Sequence, residues 1–482
     1  MDPNATHQRK RRTKIVCTLG PVSATPAMIR NLLNEGMDVV RINCSHGDPA
    51  TRLAWAQMVR EIASDLGLYI PIIFDLQGPK IRVGRLEQAV ELEQGQDLYI
   101  EVGPGPGSGN LITTSYSSFA QDVKPGQAVL LDDGKIRLKV VHIEGARVHT
   151  QVEIPGLLRE RKGINLPETA LSTPCLTEKD MEDLALAIEH EIDFVAISFV
   201  RSASDVETVR AAANKMGPNN LNYISKIERP EAVKDLIPII EASDGVMVAR
   251  GDLGVEIGSH RVPMIQKEII MRANLANKFV ITATQMLESM MTLPIPTRAE
   301  ATDVANAILD GTDACMLSGE TAMGSFPLKT VAMMAKIAHE AETHPIYRYK
   351  APPFPKGSIS YISDGISIAA YQTASLMGAR LLVAFTNSGS SALKLSKRHP
   401  DTLIVGATIH PHIARRLRAY WGVIPVLIKE PASVEAMFDE VQLRLIEMEL
   451  VRDGDVVILT SGFPLWTSGS TNLMKVMEID IP

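Results

Sequence analysis

Polar and charged residues recur at the ends of apolar runs along this chain. Arg41, Asn43 and Ser45 close MDVVRINCSHG, Asp75 closes YIPIIFDLQG, and Lys226 and Glu228 close LNYISKIE. Arg250 and Asp252 close SDGVMVARGD, Thr282 and Thr284 close KFVITATQ, and Ser318 and Glu320 close TDACMLSGE. Most of these residues are two apart, and in a strand residues i and i+2 point to one face. One such pair could simply meet solvent. Repetition over five strands predicts a shared mouth. Glu228 and Asp252 end consecutive runs, which places them on neighbouring strands about 4.8 Å apart. Carboxylates that close repel unless they share a proton or a cation. One or two carboxylates plus substrate oxygens commonly hold Mg2+. Asp252 lies in ARGDLG, where flanking glycines let backbone N–H groups approach a ligand. Lys226 adjoins the pair, with Arg41 and Arg82 across the mouth. A divalent cation ringed by such bases suits a phosphorylated anion and phosphoryl transfer. His46 is the one histidine near the mouth and reads as a binding group. No serine or cysteine triad and no zinc cluster stands out.

The stretch DLQGPKIRVG, residues 75–84, places Lys80 just past a Gly-Pro break that follows Asp75. A plain salt bridge is the simplest reading of that lysine. Spacing alone goes no further. It fits a kinase and equally a magnesium-dependent lyase acting on a keto acid.

These residues need elements to hold them. Eight short apolar runs, the six above with KIVCTLG and IDFVAISFV, alternate with segments of helical period such as TPAMIRNLLNEG and RPEAVKDLIPIIEAS. Continuous apolar strands between helices predict a parallel sheet buried on both faces. Eight βα units predict a closed (β/α)8 barrel, whose active site lies at the C-terminal strand ends. After the third run come VELEQGQDLYIEVG, QAVLLDDGKIRLKVVHIEG and RVHTQVEIPG, short strands with turns between them. They predict an inserted all-β domain over residues 79–162, dividing the barrel into 1–78 and 163–345. Its GPGPGSG reads as a flexible loop, because no helix follows and proline removes backbone donors. YKAPPFPKGS reads as a linker. Beyond it, LLVAFT, TLIVGAT, VIPVLI and DVVILT predict a second α/β domain over 357–482.

The 482 residues exceed one core, and about 150 residues per domain gives roughly three domains. Apolar residues make up 45% and charged residues 22%, an ordinary globular balance. A net charge of −7 argues against nucleic acid as a partner. No run reaches the ~18 apolar residues of a membrane helix. The basic N-terminal stretch lacks the apolar core of a signal peptide, and residues 1–13 read as a frayed tail. Cys17, Cys44, Cys175 and Cys315 form no CxxC and read as buried thiols, as in a cytoplasmic protein.

RINCSHG, DLQGPKIR, KGINLP, SKIE, MVARGDLGVE, TATQMLESM, PTRAEATDVANA and MLSGETAMG together resemble the pyruvate kinase family, and the likeness runs from about Thr13 to the C-terminus. The resemblance implies a barrel, a β lid and an effector domain, assembled as a homotetramer. It implies transfer of the phosphoryl group of phosphoenolpyruvate to ADP, giving pyruvate and ATP. Glu228 and Asp252 would hold Mg2+ or Mn2+, Lys226 would neutralise the phosphoryl group and the enolate, and Arg41 would bind phosphate. Gly251, Asp252 and Thr284 would bind the substrate carboxylate. Arg82 and Lys162 would contact nucleotide phosphates, with Asn43, Cys44, Ser45 and His46 lining that site. Thr284 and Ser318 are candidates for delivering the final proton through water. Asn43, Ser45, Asp75 and the carbonyl of Leu76 match the family's potassium site. Members that work without K+ carry Leu, Gln and Lys where this chain has Leu76, Gln77 and Lys80, so K+ is expected to be dispensable. An idle effector-binding relative would have lost one of Lys226, Glu228, Asp252 or Thr284, and this chain keeps all four. In the last domain, Thr386, Asn387, Ser388, Gly389, Ser390 and Ser391 join a strand end to a helix start. That arrangement suits a phosphorylated effector, with SGFPLWTSGST as a second loop.

Overall fold

The computed structural model describes residues 11–344, 362–464 and 471–481. Most of the tail, the YKAPPFPKGS linker and most of the SGFPLWTSGST loop fall outside them. Arg11–Thr13, read from sequence as part of the frayed tail, instead dock. Arg11 pairs with Asp38 at 2.8 Å, the Thr13 amide donates to Glu342 at 2.6 Å, and Arg12 lies over Trp421.

Eight parallel strands close into a barrel in sequence order: Lys14–Thr18, Val39–Asn43, Ile72–Asp75, Phe194–Ile197, Asn222–Ile227, Gly245–Ala249, Phe279–Ala283 and Ala314–Leu317. Each matches one predicted run. Their inward residues, among them Val16, Ile73, Ile224 and Met247, fill the centre. Outward neighbours such as Ile15, Val40 and Val246 pack beneath the helices. Period-2 alternation in strands that are apolar on both faces produces these two layers. Local signals start the helices. Thr297 and Glu300 form a capping box for Arg298–Leu309, and Asp48 caps Pro49–Asp65.

Between the third and fourth barrel strands lies a six-stranded sheet with its own core of Leu98, Ile100, Val129, Leu138 and Val148. It runs in space from Ile164–Asn165 through Ala128–Leu131, Ile136–Glu144, Arg147–Ile154 and Asp97–Val102 to Leu111–Thr114. Ile164 and Asn165 thus pair with this sheet just past residue 162. The chain enters and leaves through paired segments: Val83 N donates to Lys162 O at 2.8 Å and Ile164 N to Ile81 O at 3.0 Å.

The last domain has four parallel strands, Val423–Leu427, Leu403–Thr408, Leu381–Phe385 and Val456–Gly462. An antiparallel edge strand, Thr471–Glu478, was not predicted. This domain closes the barrel floor. Tyr420 meets Phe279, the first residue of its strand, with ring centroids 5.9 Å apart. Lys397, fully buried, pairs with Asp313, which precedes the last barrel strand. Arg415 pairs with Asp193 below the fourth strand at 2.7 Å. The opposite end, where the strands finish, is left for the site. No helix among the described residues is long and apolar enough to cross a membrane.

Candidate functional site

Lys226 lies at the centre of the mouth. Its Nζ stands 2.7 Å from Ser198 Oγ and 3.4 Å from both Asp75 Oδ1 and Glu228 Oε2. Burial works against its charge, but Asp75, Glu228 and Asp252 outweigh it and hold the ammonium above its ordinary pKa. Asp75 is buried too, yet Lys226 and Arg41 keep its carboxyl below the usual range. Arg41 reaches Asp75 through two nitrogens, at 2.6 and 2.7 Å, and Thr18 Oγ1 at 3.0 Å. Glu228 is different. Burial pushes its carboxyl up, Lys226 pulls it down and Asp252 adds to the rise, leaving it at about 7. Oε1 accepts from the Phe199 amide at 2.6 Å, while the buried Oε2 accepts no hydrogen bond. An orphaned carboxylate oxygen near a second carboxylate is a hard-oxygen donor set that fits Mg2+.

The strand-end pairs do not all project together as predicted. Asp252 reaches the mouth, but Arg250 turns into the scaffold, donating to Thr284 O at 2.7 Å and pairing with Asp303 at 2.7 Å. The reason is that a helix, Arg250–Ile257, begins directly after Ala249. Residues i and i+2 on a helix lie roughly 200° apart. Thr282 stays buried beside Thr312. Thr284 leaves the strand with φ of 68°, and its Oγ1 accepts from the Gly251 amide at 2.7 Å. Ser318 Oγ is buried with no hydrogen-bond partner, while its amide donates to Glu320.

Three predicted binding residues are turned away or already engaged. Cys44 is wholly buried, so its side chain packs into the core and cannot line a nucleotide site. The Leu76 carbonyl accepts from Ser198 Oγ at 2.7 Å, and Asn43 Oδ1 from the Ser45 amide at 3.0 Å. The lid hinges carry three cations, of which Lys80 touches a mouth residue. Arg82 bridges to Gly163, and Lys162 Nζ pairs with Asp132 at 2.8 Å. Lys80 Nζ lies 3.7 Å from Asp252 Oδ1. Burial, then Arg82, Arg41 and Lys80, depress the His46 pKa. Gly78 makes this approach possible. Its φ is +66°, and a Cβ there would meet Phe199 and Ser198 at 2.9 Å.

Sequence reasoning missed Ser198 and the Phe199 amide. The signal was a lone serine ending IDFVAIS at the level of the other strand ends. In the last domain, the Thr386 hydroxyl accepts from the Gly389 amide and Asn387 meets His410 Nε2 at 2.6 Å. Ser388 donates to Ser390 at 3.1 Å, and Ser391 meets Thr471 at 2.6 Å. All four cysteines are buried free thiols.

Comparison with known proteins agrees along the chain. A family model described as pyruvate kinase, barrel domain, matches residues 10–331, and one described as pyruvate kinase, alpha/beta domain, matches 364–477. A pyruvate kinase of Sporosarcina psychrophila is 41% identical over 472 residues, 97% of this chain and 80% of that protein. Pyruvate kinase 2 of Synechocystis is 42% identical over 474 residues, 97% and 79% respectively. The crystal structure of a pyruvate kinase from Cryptosporidium parvum superimposes with a TM-score of 0.90 at 35% identity, covering 99% of this chain and 98% of that one.

Proposed function

The chain belongs to the pyruvate kinase family, and from that premise we propose how its barrel mouth acts on phosphoenolpyruvate and ADP. The enzyme is a phosphotransferase that yields pyruvate and ATP, so the keto-acid lyase reading is set aside. The observation that carries the site assignment is Lys226 held between Asp75 and Glu228 while Glu228 Oε2 stays buried without a hydrogen-bond donor. Glu228 and Asp252 would hold the divalent cation, which would supply positive charge to offset that of the bound phosphorylated anion.

Lys226 neutralises the phosphoryl group in flight and the enolate left behind. Its charge is fixed before substrate arrives, so the stabilisation needs no reorganisation. Arg41, aimed by Asp75, binds the phosphate. The Gly251 amide exchanges Thr284 Oγ1 for the substrate carboxylate, and the Thr284 hydroxyl, whose proton is held by the Ala283 carbonyl at 2.6 Å, must turn from that carbonyl to deliver a proton to the enolate, with Ser318 as the second candidate. Closure of the lid carries Lys80, Arg82 and Lys162 toward the nucleotide phosphates near Asn43, Ser45 and His46, and excludes water. Transfer of this kind rests on positioning and charge cancellation. A lactate dehydrogenase-coupled assay with phosphoenolpyruvate, ADP and Mg2+ tests the reading, and absence of turnover at any metal concentration would refute it.

Three finer points belong to the same proposal. K+ is dispensable, because Lys80 stands beside Asp252 while Asn43, Asp75 and the Leu76 carbonyl already accept hydrogen bonds. The protein works as a homotetramer. The loop Thr386–Ser391 binds a phosphorylated activator. Sugar phosphates and AMP should shift phosphoenolpyruvate saturation, and Ser391→Asp should abolish that shift. Activation that survives Ser391→Asp would place the effector elsewhere.

A further inference from the structure

Two histidines face each other on the side of the lid sheet opposite its core. His142 and His149 are direct partners on the antiparallel strands Ile136–Glu144 and Arg147–Ile154. Along the first strand Ile136, Leu138 and Val140 are buried, so strict alternation would point His142 inward as well. A bulge between Val140 and His142 shifts the phase by one residue. It re-aims His142 to the outer face, opposite His149.

The two Nδ1 atoms lie 3.0 Å apart. The far nitrogen of each ring meets a carboxylate, His142 Nε2 with Glu144 at 2.9 Å and His149 Nε2 with Asp97 at 2.8 Å. An ionised carboxylate only accepts hydrogen bonds, so each Nε2 donates, and a ring without a second proton presents a lone pair at Nδ1. Two lone pairs at that separation repel unless a positive charge sits between them. Histidines that bind metals usually donate their other N–H to a carboxylate, which fixes tautomer and orientation. Both rings meet that condition. Tyr99 stacks on His149, with centroids 4.9 Å apart at 19°, and holds that ring in place. The nearby Arg147 is paired with Glu101 and lies over the Tyr99 ring, so its charge is partly offset.

We propose that His142 and His149 form a two-histidine site for a divalent transition metal on the outer face of the lid sheet. Imidazole nitrogens select Zn2+, Cu2+ or Ni2+ over Mg2+. Nitrogens about 2.0–2.1 Å from a shared ion and 3.0 Å apart subtend roughly 90° at it. That angle suits neighbouring positions of a tetragonal Cu2+ or Ni2+ centre, with water completing the shell. Asp97 and Glu144 orient the rings and offset the ion's charge.

Cu2+ titrated into the full-length protein, with excess Mg2+ to occupy the barrel mouth, tests this by electron paramagnetic resonance. One Cu2+ per chain with hyperfine structure from two imidazole nitrogens is expected. His142→Gln and His149→Gln should each weaken it at least ~10-fold, and Asp97→Asn should weaken it by a similar factor. Phosphotransferase turnover without Cu2+ should be unchanged in all three, which also shows that they fold. Nitrogen-bound Cu2+ that persists in the double His variant would overturn the site. So would a pair that holds only a shared proton, seen by 15N nuclear magnetic resonance and not displaced by Cu2+.

Discussion

Lys80 Nζ, on the lid hinge, stands 3.7 Å from Asp252 Oδ1 in the helix that follows the sixth barrel strand. A lysine thus brings a fixed positive charge beside one of the two carboxylates assigned to the metal. A monovalent ion in this mouth would offset phosphate charge left over by Mg2+, and the ammonium supplies that charge covalently. Near-full activity is expected in a K+-free tetramethylammonium buffer at matched ionic strength. Lys80→Glu reverses the sign and should create a K+ requirement, read as activity against K+ concentration. A parent enzyme nearly inactive without K+ would reduce Lys80 to a hinge contact.

Glu228, with its carboxyl at about 7, predicts a pH-dependent metal affinity. Above pH 7 the carboxylate is ionised and ready for Mg2+. Below it a proton competes, and the half-saturating Mg2+ concentration should rise by about tenfold per pH unit. Stability runs the opposite way. The folded pKa is raised above the ordinary 4.5, so between about 4.5 and 7 the metal-free folded state binds more protons than the unfolded state. Its stability falls as pH rises through that window, and the penalty is complete above 7. Glu228→Gln should therefore unfold at higher urea than the parent at pH 8 without metal, should match it near pH 4, and should lose turnover. Equal midpoints at pH 8 would contradict the raised pKa.

The barrel was legible because its strands are continuous apolar runs, a pattern that follows from burial on both faces. Glu228 and Asp252 were legible for the same reason, since each follows such a run on neighbouring strands. Arg250 was misplaced because the strand period was carried one residue into a helix. Ser198 gave only a single polar side chain, and its role depends on a Lys226 contact across strands. The edge strand Thr471–Glu478 was missed because its exposed face leaves TNLMKVME without a clear apolar alternation. The Lys80–Asp252 contact depends on how Gly78 folds the hinge against Phe199, and no spacing rule encodes that geometry.

At the barrel floor, Lys397 and Asp313 are both fully buried, and Lys397 Nζ also reaches Asn274 at 2.9 Å. Burial drives both groups toward neutrality, lowering the lysine pKa and raising that of the aspartate, while each opposes the shift in the other. Removing one partner strands the other. Lys397→Met should destabilise the protein by about 3–5 kcal/mol, and Lys397→Met with Asp313→Leu should recover most of that loss. Urea midpoints of the parent, the single and the double variant check this. A single variant within ~0.5 kcal/mol of the parent would mean that water reaches the pair.

Lys226 is the group whose loss should cost most. Its ammonium touches Ser198, Asp75 and Glu228, so its position is fixed from three sides before substrate arrives. Losing one preorganised group that stabilises developing charge typically costs ~10²–10³-fold in kcat. Here a full charge is lost from a buried site, so Lys226→Met should lower kcat by at least ~10³-fold. Ser198→Ala removes only the hydroxyl that positions the ammonium and leaves the charge in place. It should lower kcat by about tenfold or less, with little change in the half-saturating phosphoenolpyruvate concentration. Met at 226 also leaves Asp75 and Glu228 without their shared cation, so Mg2+ affinity should rise even as turnover collapses. Steady-state kinetics with a separate Mg2+ binding measurement distinguish these effects. A fall in kcat below tenfold for Lys226→Met would show that another group carries the transferring charge.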